Sequence, residues 1–269
     1  MVKRIIYMVI AVIATAYVAL CAAMFVFQRS LLYYPQSRQV TAAQSTMPLH
    51  VEGADLVVTV RAHSGPRAIL YFGGNGEDVS LSLASFSEAF PDQALFLLHY
   101  RGYGGSTGRP SEIANHSDAA ALFRAVHVEH PEIAVIGRSL GSGIAVRLAS
   151  ESPVSRLILV TPYNSIEEIA AAQYPYLPVR WLLLDRYESW KYAPRIRIPT
   201  TLIAAEDDEV IPRASTEKLF AGFPAGVASL IVIEGADHNS IGTMTGYLTA
   251  LQAVLLSRTV PSESRSRPQ

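Results

Sequence analysis

The chain opens on its longest apolar stretch. From Ile5 to Phe27 no charged residue interrupts about 23 positions, enough at 1.5 Å per residue to cross a hydrocarbon core of ~30 Å. Lys3 and Arg4 precede the run, and Gln28 and Arg29 follow it. A cleaved signal peptide has a shorter apolar core and small residues at its cleavage site. Leu20, just before Cys21, is too bulky for the lipoprotein variant of that site. The pattern therefore predicts an uncleaved signal anchor over residues 1–29. Lys3, Arg4 and the amino terminus outweigh Arg29 and Arg38 slightly, which puts the N-terminus in the cytoplasm and the rest on the periplasmic or extracytoplasmic side.

Beyond the anchor the pattern changes. Residues 30–48 read as a Tyr-, Pro- and Ser-containing connector, and a domain follows over 49–257. Short apolar runs at Leu56–Val60, Ala68–Phe72, Ala94–His99, Ile133–Ile136, Arg156–Val160, Thr200–Ala205 and Ala228–Ile233 predict strands. Helical patterns lie between them at Val79–Phe90, Ile113–Glu129, Ser139–Ala149, Arg213–Phe220 and Ile241–Leu256. Such alternation predicts an α/β fold with a mostly parallel sheet covered on both faces. One stretch breaks it: residues 161–194 hold several aromatics and four prolines between two strands, and read as a short helical cap at the ligand-binding end of the sheet. The polar tail, 258–269, is expected to be disordered.

Composition adds exclusions. A net charge of −1, with Lys and Arg spread along the chain, leaves no footprint for nucleic acid. The single Cys lies inside the apolar run, so the domain can form no disulfide. No His pair or Cys cluster has metal-ligand spacing, and no organic cofactor is implied.

The candidate chemistry centres on Gly137-Arg138-Ser139-Leu140-Gly141, which fits G-x-S-x-G between a strand and a helix. A serine held on that strained turn stands clear of the sheet, and side chains at the flanking glycines would strike neighbouring backbone. The competing reading is a tightly packed turn without chemistry. A serine hydroxyl needs a base, and the base an acid to orient it, in the chain order Ser, acid, His. Of the seven histidines, only His238 follows the acid candidates, in a Gly-containing loop after the strand Ala228–Ile233. The acid lies in Glu206-Asp207-Asp208-Glu209, where pattern alone leaves Asp208 and Asp207 both open. Oxyanion donors are expected from the backbone N–H of Leu140 and from the Gly73-Gly74-Asn75-Gly76 turn, at Asn75.

Together these segments resemble the Bem46-like α/β-hydrolases over about Phe27 to Leu256. The resemblance is carried by Phe27–Pro35 after the anchor, Tyr71–Gly76, Tyr100–Gly108 with Pro110-Ser111-Glu112, Gly137–Gly143, Asp208–Pro212 and Gly235–Asn239. It selects Asp208 over Asp207 as the acid. Gly73 stands where the family has His, and His99 where it has Asp. The resemblance implies an α/β-hydrolase fold with an eight-stranded sheet, hydrolysis of an acyl bond, and often an N-terminal anchor.

The expectation is thus a membrane-anchored serine hydrolase using Ser139, Asp208 and His238, with residues 5–27 in the membrane. An apolar cap, with Tyr163, Tyr174, Tyr176 and Trp181 as substrate candidates, points to a lipophilic acyl ester or thioester, lipids among them. Simple packing of the cap onto the body explains the same residues. A serine peptidase is the alternative enzyme class, and a non-catalytic interaction protein the alternative of another kind.

Overall fold

The computed structural model describes residues 1–39 and 45–256, so the polar tail falls outside the described residues. An eight-stranded sheet runs in the order β1-β2-β4-β3-β5-β6-β7-β8. The seven strands expected from the pattern are β2 (Ala54–Arg61), β3 (Arg67–Phe72), β4 (Ala94–Leu98), β5 (Glu132–Arg138), β6 (Arg156–Val160), β7 (Thr200–Ala205) and β8 (Ala228–Ile233). The eighth, β1 (Ser45–Val51), begins inside the stretch read as connector. It pairs antiparallel with β2 from Val51 opposite Ala54 outward, across a turn where Gly53 takes φ +74°. As an edge strand it accommodates Pro48, the residue that hides it in the sequence. β2 also pairs antiparallel with β4, and every pairing among β3 to β8 is parallel.

Parallel strands buried on both faces send alternate side chains to two cores. Leu70, Phe72, Val135, Leu157 and Leu159 pack on one face, under α3 (Glu112–His127) and α4 (Leu140–Glu151). Ile69, Tyr71, Ile136, Ile158 and Ile203 pack on the other, under α2 (Leu83–Ala89) and α8 (Thr245–Leu256). Ser111 starts α3 by accepting the Ala114 N–H at 3.2 Å. The cap insertion folds as α5 (Ile166–Gln173), the single turn α6 (Val179–Leu182) and two 3₁₀ turns, and α7 (Arg213–Ala221) follows β7.

The N-terminal helix, α1 (Val2–Leu32), continues five residues beyond the apolar run. By length and composition it can cross a membrane, and none of its residues is buried. Its end is tied to the domain. Arg29 Nε donates to Asp185 Oδ2 at 3.0 Å, and the Tyr33 hydroxyl donates to the same oxygen at 3.1 Å. Burial, with Tyr187 and Asp185 alongside, drives the Tyr33 phenol far above its usual range, so it stays a neutral donor.

Candidate active site

Strands β3 and β5 lie side by side, with Phe72 opposite Gly137. From β3 the chain steps to β4 on one side and then returns to β5 on the other, so a crevice opens at the carboxyl ends of these strands. The loops after β3, β5, β7 and β8 meet there.

Ser139 follows β5 with φ 48° and ψ −117°, a conformation a non-glycine residue holds only when its surroundings impose it. The glycines are part of that imposition. A Cβ on Gly141 would lie 2.0 Å from the Phe72 carbonyl oxygen, and one on Gly137 would lie 2.4 Å from that of Gly141. The turn can close only with bare backbone at both positions.

His238 Nε2 lies 3.0 Å from Ser139 Oγ, and His238 Nδ1 lies 3.0 Å from each oxygen of Asp208. A carboxylate only accepts, so Nδ1 carries the proton and Nε2 is left to accept from the serine hydroxyl. Both side chains are shielded, at 9% exposed for His238 and 6% for Asp208. Asp208 Oδ1 also accepts the N–H groups of Val210 at 3.0 Å and Ile211 at 2.7 Å, which fix the carboxylate in its own loop. Asp207 is exposed, and Glu206 binds the Gly235 N–H at 2.9 Å. Asp237 accepts the N–H groups of Asn239 and Ser240, both at 2.8 Å, and these bonds hold the histidine loop and lower the Asp237 pKa.

The turn after β3 lies against the serine, since a Cβ on Gly74 would be 3.6 Å from Ser139 Cβ. The Gly74 N–H is already bound to Glu77 Oε2 at 2.7 Å. Among the described residues no protein acceptor takes the N–H of Asn75 or of Leu140. The Asn75 side chain is fully engaged: Oδ1 accepts the Tyr34 N–H at 3.1 Å and the Tyr103 hydroxyl at 2.9 Å, and Nδ2 donates to the Leu32 carbonyl.

Two residues outside the expected set organise this centre. Arg138 pairs with Glu77 at 3.3 Å and donates to the carbonyls of His238 at 3.2 Å and Asn239 at 3.3 Å. Glu77 Oε1 accepts the Tyr71 hydroxyl at 2.7 Å. Burial alone would lower the Arg138 pKa, but Glu77 and Tyr71 outweigh it and the guanidinium is held charged. One shielded pair thus ties the turn after β3, the serine turn and the histidine loop together. Arg138 stood in view inside G-x-S-x-G, but its carbonyl partners are 100 residues away and no local pattern reveals them.

The cap residues correct the sequence reading. A cleft of about 460 Å³ opens at Ser139, lined by the Gly74–Ser82 segment, Arg138, His238, Asn239 and Thr243, and none of the four cap candidates lines it. Tyr163 is fully buried behind the serine turn, its hydroxyl donating to the Leu140 carbonyl at 3.0 Å. Tyr174 faces α1 in a recess shared with Met24 and Leu31. Tyr176 and Trp181 stand almost fully exposed. By its place in the chain the cap is expected over the serine; it packs instead along α1.

His99, one of the two departures from the family pattern, has a packing role. Its Nε2 lies 2.8 Å from Thr59 Oγ1, and its ring lies so flat on Gly104 that a Cβ there would sit 2.0 Å from Nδ1. Burial lowers its pKa to about 4.

Similarity to known proteins agrees with this geometry. Residues 67–185 match the family model described as alpha/beta hydrolase fold. An uncharacterized protein of Mycobacterium tuberculosis is 36% identical over 256 residues, covering 86% of this chain and 89% of its own. The alpha/beta hydrolase domain-containing protein aho-3 of Caenorhabditis elegans is 32% identical over 60% of this chain and 48% of its own. Protein bem46 of Schizosaccharomyces pombe is 27% identical over 68% of this chain and 65% of its own. Among solved structures, a Pyrococcus furiosus esterase superposes with a TM-score of 0.67 at 15% identity, covering 83% of this chain and 98% of that one, a likeness of fold. The chain belongs to the Bem46-like α/β-hydrolases.

Proposed function

We propose that the protein is a membrane-anchored serine hydrolase that cleaves an acyl ester or thioester through Ser139, His238 and Asp208. The observation that carries this reading is the unbroken hydrogen-bonded chain from Asp208 through His238 to Ser139, each link 3.0 Å long. Ser139 Oγ attacks the acyl carbonyl as its proton passes to His238 Nε2. Asp208 keeps the imidazole in the required tautomer and stabilises the imidazolium. The N–H groups of Asn75 and Leu140 hold the oxyanion. The tetrahedral adduct collapses, and the leaving alcohol or thiol takes the proton from Nε2. Water then repeats the sequence on the acyl-enzyme and frees the acid and Ser139.

The lipophilic character of the substrate rests on the anchor rather than the cap. The carbonyl of Leu32, the last residue of α1, accepts a hydrogen bond from Asn75 in the oxyanion turn, so the cleft lies at the end of the apolar helix. An acyl group held in a bilayer is the substrate such a position favours. With α1 across the membrane, the charge bias at its ends puts the domain on the extracytoplasmic side.

A fluorophosphonate probe tests the chemistry. The full chain is expected to be labelled, and the Ser139→Ala chain is not. Labelling that survives in Ser139→Ala, or is missing from both, overturns the serine mechanism. p-Nitrophenyl esters of rising acyl length, acyl thioesters and peptides then separate the substrate classes. Selective cleavage of peptides would favour the peptidase alternative.

A further inference from the structure

We infer that the cap tip, from Tyr174 to Leu184, is a membrane-seated surface that lies in the lipid leaflet beside α1. This rests on the proposal that α1 spans the bilayer. The cap runs along α1 and is tied to it at three levels. Asp185 meets Arg29, the first charged residue after the apolar run. Gln28 bonds the Leu182 carbonyl at 3.2 Å and the Leu184 N–H at 2.7 Å. Far down the helix, the Tyr17 hydroxyl donates to the Tyr176 carbonyl at 2.8 Å.

Helix geometry converts this register into depth. Arg29 and Tyr17 are about 18 Å apart along the axis at 1.5 Å per residue. With Arg29 at the interface, Tyr17 reaches the middle of a core ~30 Å thick, and tilt shortens that depth without cancelling it. The backbone bonded to Tyr17 goes down with it.

The surface of the tip suits that position. Tyr176 is 89% exposed, Trp181 86% and Leu184 54%, and large apolar groups displayed together mark an interaction surface. Trp181, one residue before the Leu182 carbonyl that Gln28 holds near the end of the apolar run, is the type of side chain enriched where hydrocarbon meets headgroup. The only charged residue from Tyr174 to Leu184 is Arg180, and it is paired with Glu167 at 3.6 Å. A carbonyl left bare in lipid is costly, and the Tyr17 hydroxyl covers that of Tyr176. Between helix and cap, the apolar recess bounded by Met24, Leu31, Tyr174, Leu177 and Leu183 has the chemistry of an acyl-chain slot.

The test uses the full chain in phosphatidylcholine–phosphatidylglycerol vesicles. In Trp190→Phe the emission reports Trp181. In Trp181→Phe it reports Trp190, which lies beside Lys191 and serves as the water-side reference. Trp181 is expected to be quenched by lipids brominated on the acyl chain and spared by aqueous iodide, with the reverse for Trp190. Alkaline carbonate separates the two ideas. A chain that stays with the vesicles while Trp181 remains open to iodide overturns the membrane-seated cap and leaves the anchor standing. A chain released by carbonate overturns both. Trp181 shielded from both quenchers in a chain that cross-links to a second copy assigns the surface to self-association and overturns the inference. As an independent readout, Tyr176→Ser/Trp181→Ser is expected to lose activity several-fold on an ester embedded in vesicles and none on p-nitrophenyl acetate. Equal rates on both substrates would count against a lipid contact.

Discussion

Asn75 Oδ1 accepts the backbone N–H of Tyr34 at 3.1 Å, so the segment leaving α1 grips a residue that lines the same cleft as Ser139. The grip is threefold, with the Tyr103 hydroxyl at 2.9 Å and the Leu32 carbonyl as the other partners. A backbone donor cannot be deleted by substitution, but its aim can be disturbed. Asn75→Ala keeps the N–H and removes all three ties. Its kcat is expected to fall on the order of 10²-fold, as for a misplaced catalytic group. KM for a small ester should change little. Tyr103→Phe, which removes one tie, should give a smaller loss. The double variant should be no worse than Asn75→Ala, because the two changes break the same contact.

The Arg138–Glu77 pair carries a second expectation. Both side chains are largely shielded, at 18% and 13% exposed. Arg138→Met leaves Glu77 without its counter-charge and the carbonyls of His238 and Asn239 without their donor. Breaking such a pair costs on the order of 3 kcal/mol, which for a domain of this size lowers Tm by ~6–12 °C. Because the guanidinium also holds the histidine loop, kcat should fall even at temperatures where the variant is fully folded. Calorimetry and esterase kinetics on one preparation separate the two effects. A fall in Tm with kcat unchanged would make the pair structural only.

His99 gives a pH dependence with a definite sign. Burial lowers its pKa from 6.5 to about 4, so the folded state holds it neutral where the unfolded chain would bind a proton. The stabilisation is full above pH 6.5 and is lost as the pH falls from 6.5 toward about 4. The loss is on the order of 3 kcal/mol at the acid end of that window. Carboxylates titrate there too, so the informative quantity is a difference. The stability of His99→Gln, measured by denaturant unfolding across this range, should decline less steeply than that of the native chain. Parallel curves would remove His99 as the cause.

What the sequence made legible was whatever short-range pattern encodes. Alternating apolar runs gave seven strands, because a strand buried on both faces has little freedom in composition. The serine turn was legible because Gly137 and Gly141 are dictated by contacts under 2.5 Å that any side chain would violate. Edge strand β1 was hidden because one solvent-facing side and Pro48 dilute its pattern. The Arg138–Glu77 pair and the grip on Asn75 were hidden for another reason: their partners are 61 and 41 residues apart and meet only once the sheet has formed. The cap's neighbour was not legible, because aromatic content says that a surface is apolar, not which neighbour it faces. Here that neighbour is α1, through Tyr17, Met24 and Gln28.

The acid position can be decided by a substitution that changes chemistry without changing shape. In Asp208→Asn the remaining Oδ1 can still accept the N–H groups of Val210 and Ile211, so the loop has reason to keep its form. The new amide N–H stands where Oδ2 accepted from His238 Nδ1, and the Oδ1 that remains within 3.0 Å of the ring is already taken by the two loop N–H groups. The imidazole then places its proton on Nε2, where it can no longer take one from Ser139. The loss in kcat is expected to be on the order of 10⁴-fold, the scale seen when a triad histidine is held in the wrong tautomer. Asp207→Asn is the control. Its side chain is exposed, so stability should change by no more than about 0.5 kcal/mol, and kcat should be retained. Similar losses in the two variants would mean that the acidic loop acts through its overall charge, and the role given to the Asp208–His238 bond would have to be withdrawn.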